Sequence, residues 1–289
     1  MSRLPRTAWA VVAVLAVAGA CSQFGSSTNE DAAPDGGSDA TPADAPVDAL
    51  TADAPGDDGG ADCAEPFQFF ETFDTDPSLA VWMPTAPANG LYLVTDSLPN
   101  AVAPVSPPNA FFASGSLPDA GDSVHVSILE RFDFAPAHAR LTYALYVPSI
   151  TPFAEVGCAV RIGGNPFATP VTLDVIAVNG ALAARRLDID GGGPQNVDLG
   201  PVPAAAFTNL AIVVTTSVET AMGTATIERL GSDGTVSATA NLGSFQLPAA
   251  ASRLEVECGI GVANLGGAST GNANAAVAID EVALRGCKR

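Results

Sequence analysis

From Phe67 to Arg285 apolar and polar side chains alternate with a period of two, the signature of strands that bury one face. The clearest alternating segments are 67–73, 91–95, 124–134, 141–147, 154–162, 171–178, 181–189, 210–217, 224–230, 235–242, 254–262 and 275–285. Turn signals stand between them: Ala88-Asn89-Gly90, Asn179-Gly180, Gly191-Gly192-Gly193-Pro194 and Ser232-Asp233-Gly234. Asn-Gly and Asp-Gly between alternating runs favour tight hairpins, because both residues tolerate the positive φ such turns require. No stretch carries a 3.6-residue apolar stripe of helical length. About twelve short strands within residues 63–289 predict an all-β, two-sheet antiparallel jelly-roll sandwich.

The pattern is absent before residue 63. Met1 to Arg6 is a basic n-region, and Ala8 to Ala18 is an apolar run of 11 residues. That run is shorter than the roughly 20 residues a spanning helix needs and suits the h-region of a cleaved signal peptide, residues 1–20. It ends in Ala18-Gly19-Ala20-Cys21, which resembles the lipobox of bacterial lipoproteins, with Ala18 where the family usually has Leu. The resemblance implies a lipid on Cys21 and a membrane anchor. Several acyl chains hold stably where one does not. Ser22 in place of Asp, by resemblance to enteric lipoprotein sorting, favours the outer membrane. Residues 22–62 carry ten acids and no base, and after Phe24 their only large apolar side chains are Val47 and Leu50. No core forms from such a composition, so residues 21–62 read as a disordered, solvated linker. It would span roughly 35 Å as a coil and about 125 Å in polyproline II.

The formal charge is −19, and residues 63–289 keep −11 of it with no basic cluster. Such a surface repels phosphate backbones, which excludes nucleic acid as a partner.

Phe69-Phe70-Glu71-Thr72-Phe73-Asp74 followed by Trp82, and Val277-Ala278-Ile279-Asp280-Glu281-Val282-Ala283-Leu284 at the other end, resemble the first and last strands of concanavalin A-like (laminin G-like) jelly rolls. Carbohydrate-binding modules of the galactose-binding-like fold open similarly and are the alternative. Phe207-Thr208-Asn209-Leu210 and the run to Val214, then Ser232-Asp233-Gly234, are similar to a laminin G-like strand pair, with Phe207 in place of the usual Trp. This likeness implies adjacent first and last strands. It also implies either no cofactor or one structural calcium at Glu71, Asp74 and Asp280, and a glycan as the leading ligand. With Cys21 lipidated, four cysteines remain in an exported chain, and their number alone allows three disulfide pairings. Neighbouring termini imply Cys63 with Cys287. Cys158 and Cys258, each inside an apolar strand, then form an interior bridge or stay as free core thiols.

The motifs of catalysis fail one by one. Gly267-Ala268-Ser269-Thr270-Gly271 matches a nucleophile elbow, yet no His follows it; His125 and His138 lie upstream. Cys258-Gly259-Ile260-Gly261 has its third Gly at the wrong spacing for a dinucleotide loop, and no helix follows. Asp188-Ile189-Asp190-Gly191 has Leu199 where an EF-hand needs Glu. Glu255-Val256-Glu257 is nearest to the paired acids of a retaining glycosidase on one strand, but no third acid follows, so it reads as a solvated acidic face. His125 and His138 read as structural or surface residues. Tyr92, Tyr143 and Tyr146 are the candidate sugar-stacking rings. The expectation is a non-enzymatic binding or adhesion domain, lipid-anchored outside the cytoplasm, with a glycan or an envelope protein as partner. A structural module of the envelope and a degenerate glycoside hydrolase are the alternatives.

Overall fold

The computed structural model describes residues 63, 65–74, 82–117, 123–149, 153–164, 170–188, 195–217, 219–248, 251–263 and 273–288. The chain divides into units 1–52 and 53–289, and all described residues belong to the second. The signal peptide, Cys21 and the linker therefore lie outside the described residues, as do Gly191 to Pro194 and the Gly267–Gly271 motif.

Among the described residues fifteen strands are formed: β1 Pro66–Glu71, β2 Met83–Thr85, β3 Gly90–Thr95, β4 Ala110–Leu117, β5 Ser123–Phe132, β6 Pro136–Ser149, β7 Phe153–Gly163, β8 Val171–Val178, β9 Ala181–Leu187, β10 Gln195–Pro201, β11 Thr208–Ser217, β12 Met222–Leu230, β13 Val236–Gln246, β14 Arg253–Ala263 and β15 Ala273–Lys288. They make two antiparallel sheets of a jelly-roll sandwich. The eight-stranded sheet runs β13-β12-β11-β6-β15-β4-β3, with β1 also paired to β15; the seven-stranded sheet runs β10-β9-β8-β7-β14-β5-β2. Twelve strands fall on the alternating segments. The other three, β2, β4 and β10, lack the signal for separate reasons. β2 has only three residues, β4 (AFFASGSL) is half small residues, and β10 is a polar edge strand with an irregularity between Asp198 and Gly200.

Alternation sends one face of each strand into a single core. Val124, Val126 and Ile128 of β5, Val156, Val160 and Ile162 of β7, and Leu254, Val256 and Ile260 of β14 meet Leu141, Leu145, Ile212 and Leu284 from the opposite sheet. Asn179 (φ 50°) and Gly180 (φ 82°) form the two-residue turn of the β8–β9 hairpin, as the Asn-Gly signal requires. A second, smaller cluster of Leu98, Ala110, Tyr146 and Ala278 sits apart from the main core, with Val102, Phe112 and Phe207 packed against it. Burial on both sides explains why Ala275 to Ile279 of β15 reads as a continuous apolar run.

Both disulfides are present. Cys63–Cys287 joins the start of the domain to the end of β15 with a Cα separation of 5.6 Å, and β1 pairs with β15 beside it. Cys158–Cys258 links directly opposed residues of β7 and β14, Cα 4.0 Å apart, inside the core. Two such bridges fit an oxidising compartment outside the cytoplasm. Among the described residues no helix is long and apolar enough to cross a membrane.

Candidate functional site

The chemistry gathers on the outer face of the seven-stranded sheet. Strand β14 lies between β5 and β7, so its alternate residues form rows with theirs. One row is His125, Gly261 and Glu155; the next is Ser127, Gly259 and Gly157; then come Leu129, Glu257 and Ala159, and finally Arg131, Glu255 and Arg161. Three glycines and an alanine thus floor a hollow whose rim is charged. The hollow is shallow, with room for about 30 Å³, and Asp174 of β8 completes its lining.

Over that floor the long side chains meet. His125 Nε2 and Ser127 Oγ each lie 2.6 Å from Glu257 Oε1, and Arg161 pairs with Glu257 Oε2. Burial raises the proton affinity of Glu257, but the His125 contact, the Arg161 charge and the Ser127 hydroxyl outweigh it and hold the carboxyl below its usual range. The hydrogen bond to Glu257 in turn raises the His125 pKa above its ordinary 6.5 against the opposing effect of burial; Glu155 adds to the rise and Arg161 subtracts from it. The imidazole stays open to solvent, its side chain 44% exposed against 11% for Glu257.

A second group adjoins the first. Arg185 of β9 donates through Nε to Asp174 Oδ1 at 2.8 Å, and its Nη2 reaches Asp174 Oδ2 and, at 2.6 Å, Glu155 Oε1. Burial lowers the guanidinium pKa, and the two carboxylates more than offset it, so Arg185 keeps its charge. The Phe153 ring lies 6.0 Å from Arg185 Cζ. Beyond the hollow, Arg131 Nε donates to Glu255 Oε1 at 2.8 Å.

Glu255 and Glu257 are therefore not a solvated acidic face. Both are buried, because arginines on the neighbouring strands cap them. His125 sits at the surface, as expected, and there pairs with Glu257.

The three tyrosines are placed away from this face or within the structure. Tyr143 is buried between the sheets and donates to Cys158 O at 3.4 Å; burial pushes its phenol pKa well above the ordinary value. Tyr146 is buried in the small cluster, donating to Pro99 O at 3.1 Å and accepting from Asn100 Nδ2 at 2.8 Å. Tyr92 is half-buried and stacks on Phe111 at 6.3 Å. Buried phenols satisfy their hydroxyls locally, and neither Tyr143 nor Tyr146 presents a ring to a sugar.

The carboxylates expected to hold calcium are each engaged by protein donors. Glu71 accepts from Phe73 N at 2.8 Å and Trp82 Nε1 at 3.4 Å. Asp74 Oδ2 accepts from Thr72 Oγ1 at 2.7 Å, while its other oxygen is buried without a hydrogen-bond partner. Asp280 accepts from Ser106 N and Oγ and from Glu281 N, at 2.7–2.9 Å. Among the described residues no group of three or more His, Cys, Asp or Glu side chains is arranged to hold a metal ion.

No family model matches the chain, and no curated protein does. Solved structures match it in fold. One is a protein of unknown function from Shewanella oneidensis MR-1, with TM-score 0.49 and 10% identity over 78% of this chain and 87% of that one. Another is a family 7 alginate lyase, with TM-score 0.48 and 10% identity over 75% of this chain and 97% of the lyase. A third is a lichenase derived from a mouse hindgut metagenome, with TM-score 0.38 and 12% identity over 77% and 99%. At such identities the likeness is one of fold. The expectation that this domain is not an enzyme is nonetheless corrected by these matches, since proteins of this architecture include a lyase and a glucanase. Local motifs carry no trace of such a site. The groups gathered here come from β5, β7, β8, β9 and β14.

Proposed function

We propose that the domain is a carbohydrate-active module that holds a polysaccharide across the outer face of the seven-stranded sheet, with His125 and Glu257 as its acid–base pair. One observation carries the reading: a solvent-open imidazole fixed at 2.6 Å by a buried carboxylate, over a floor of glycines. A hollow of about 30 Å³ is too small to enclose a sugar, so a ligand lies across the strands, as a polymer does. Guanidinium and carboxylate groups pair with vicinal hydroxyls, and glycan is also the ligand class implied by the resemblance at the first and last strands. Glu257, held ionised, orients the ring and stabilises its protonated form. Protonated His125 gives its proton to the departing glycosidic oxygen as a water molecule bonds to the anomeric carbon, and the proton that this water sheds returns to the now neutral imidazole. We place the chain outside the cytoplasm on a lipid at Cys21, in the outer membrane, with residues 22–62 as the tether.

The test uses the full chain with its disulfides intact, incubated with a broad polysaccharide panel. New reducing ends, unsaturated products and binding are followed together. Turnover that falls roughly 10²-fold or more in His125→Ala and in Glu257→Gln supports the dyad. Binding without turnover removes the acid–base role, and a blank panel removes the glycan reading. Labelled palmitate incorporated by the wild type and not by Cys21→Ser tests the anchor.

A further inference from the structure

We infer that this face is built for an uncharged polysaccharide and turns away polyuronates and sulfated chains. The inference rests on the glycan reading above and adds the substrate class.

Recognition of an acidic polymer needs guanidinium or ammonium groups with unspent charge. Here the three arginines in and beside the hollow are matched. Arg161 is paired with Glu257, Arg185 with both Asp174 and Glu155, and Arg131 with Glu255. Three carboxylates, Glu155, Asp174 and Glu257, face two guanidinium groups, Arg161 and Arg185, so the hollow carries −1 with a neutral imidazole and zero with His125 protonated. Arg185 is also the least accessible of these three, its side chain 9% exposed against 29% for Arg161 and 47% for Arg131.

A sugar carboxylate entering the hollow must therefore displace Glu257 or Glu155 from its arginine, or sit beside them as a like charge. The remaining field works the same way, because residues 63–289 carry −11. A neutral sugar meets neither obstacle. Its hydroxyls donate to carboxylate oxygens and accept from guanidinium N–H groups at once, so an alternating, charge-balanced rim suits it. Glu155 is the natural acceptor: its side chain is 38% exposed, and its Oε2 lies over Gly261 on the rim of the hollow.

The experiment measures affinity of the full, disulfide-intact chain for neutral polymers (β-glucan, xylan, mannan) and acidic ones (alginate, polygalacturonate, a sulfated galactan) at low and high salt. At least one neutral polymer binds with little dependence on salt, and every acidic one binds roughly tenfold or more weakly at low ionic strength. Glu155→Gln, which removes one negative charge and loosens the hold on Arg185, narrows that gap. An acidic polymer that binds best, with affinity falling as salt rises, overturns the inference and leaves the glycan reading standing. No binding to either class overturns both.

Discussion

Gly259 and Gly261 sit two residues apart on β14, both lining the hollow, and their replacement by alanine separates the site from the fold. At Gly261 a new Cβ would stand 2.5 Å from Glu155 Oε2 and 3.2 Å from His125 Nδ1, the far ends of two side chains. To regain ordinary contact at 3.4 Å, Oε2 must retreat by about 0.9 Å. That motion weakens the partly exposed Glu155–Arg185 contact, worth about 0–1 kcal/mol. Alanine in a strand recovers about 0.5–1 kcal/mol of backbone entropy relative to glycine. The two terms nearly cancel, so Gly261→Ala unfolds within about 1 kcal/mol of the wild type. At Gly259 the new Cβ would overlap Val126 O and come 2.7 Å from Ser127 Cα, both on the backbone of β5. No rotamer change relieves that overlap. Strand β14 has to part from β5 along a ladder of ten residue pairs, and the cost is about 3 kcal/mol or more. Denaturant unfolding read alongside polysaccharide affinity gives both values. Gly261→Ala keeps its stability and loses about tenfold in affinity or turnover, because it moves Glu155 and crowds His125. Wild-type activity in Gly261→Ala, or wild-type stability in Gly259→Ala, refutes the role given to this floor.

Further outcomes follow from other parts of the molecule. Removing the Cys63–Cys287 bridge as a Ser pair frees a loop of 224 residues, which on chain-entropy grounds costs about 5 kcal/mol; a loss under about 1 kcal/mol in denaturant unfolding would contradict it. Glu257→Gln takes away the hydrogen bond that raises His125, so the His125 imidazole titrates at lower pH by NMR, with His138 as the second imidazole in the same spectra. The raised pKa of His125 means its stabilisation is complete below 6.5 and lost as pH rises through the folded value, whereas that of Glu257 is complete above 4.5 and lost as pH falls. The dyad therefore stabilises most between pH 4.5 and 6.5, and Glu257→Gln flattens that part of the stability profile. Tyr146→Phe removes the hydrogen bonds to Pro99 O and from the exposed Asn100 Nδ2 while Val102 N still donates to Pro99 O, costing about 0.5–1.5 kcal/mol in a melt while leaving polysaccharide affinity unchanged.

Most of the sandwich is legible in the period-two alternation, because a strand with one buried face must show it. The strands that escape are those for which that condition fails: β2 is too short, β10 is a polar edge, and β4 carries small residues where its partners crowd it. The site is hardly legible at all. His125 and Glu257 are 132 positions apart, and which strand lies beside β14 is a fact of topology that no local spacing encodes. One signal was present. In 255–261 the alternate positions run Glu, Glu, Gly, Gly, and in 155–161 they run Glu, Gly, Ala, Arg, although a side chain at Gly157 would point inward at Tyr143. Glycine on the exposed face of a well-formed strand marks a place where something else comes close. The same segments read as a solvated face only while the arginines of neighbouring strands are unknown.

The interior disulfide binds these two kinds of information together. Cys158 and Cys258 face inward on the two strands whose outward residues carry most of the hollow, and they are direct partners in the β7–β14 ladder. A slip of one residue in that ladder would turn Glu257 toward the core and bring a valine or isoleucine to the surface. The bridge forbids such a slip covalently, one position from Glu257 and three from both Glu155 and Arg161. Cysteine spacing, which is easily read, thus fixes the register on which the dyad depends, although the dyad itself leaves no contiguous trace. Replacing both cysteines by alanine while the Cys63–Cys287 bridge stays intact should therefore lower turnover by more than its effect on stability accounts for under conditions where the chain is still folded. Turnover that follows the folded fraction alone would show that the hydrogen-bond ladder holds this register without the bridge.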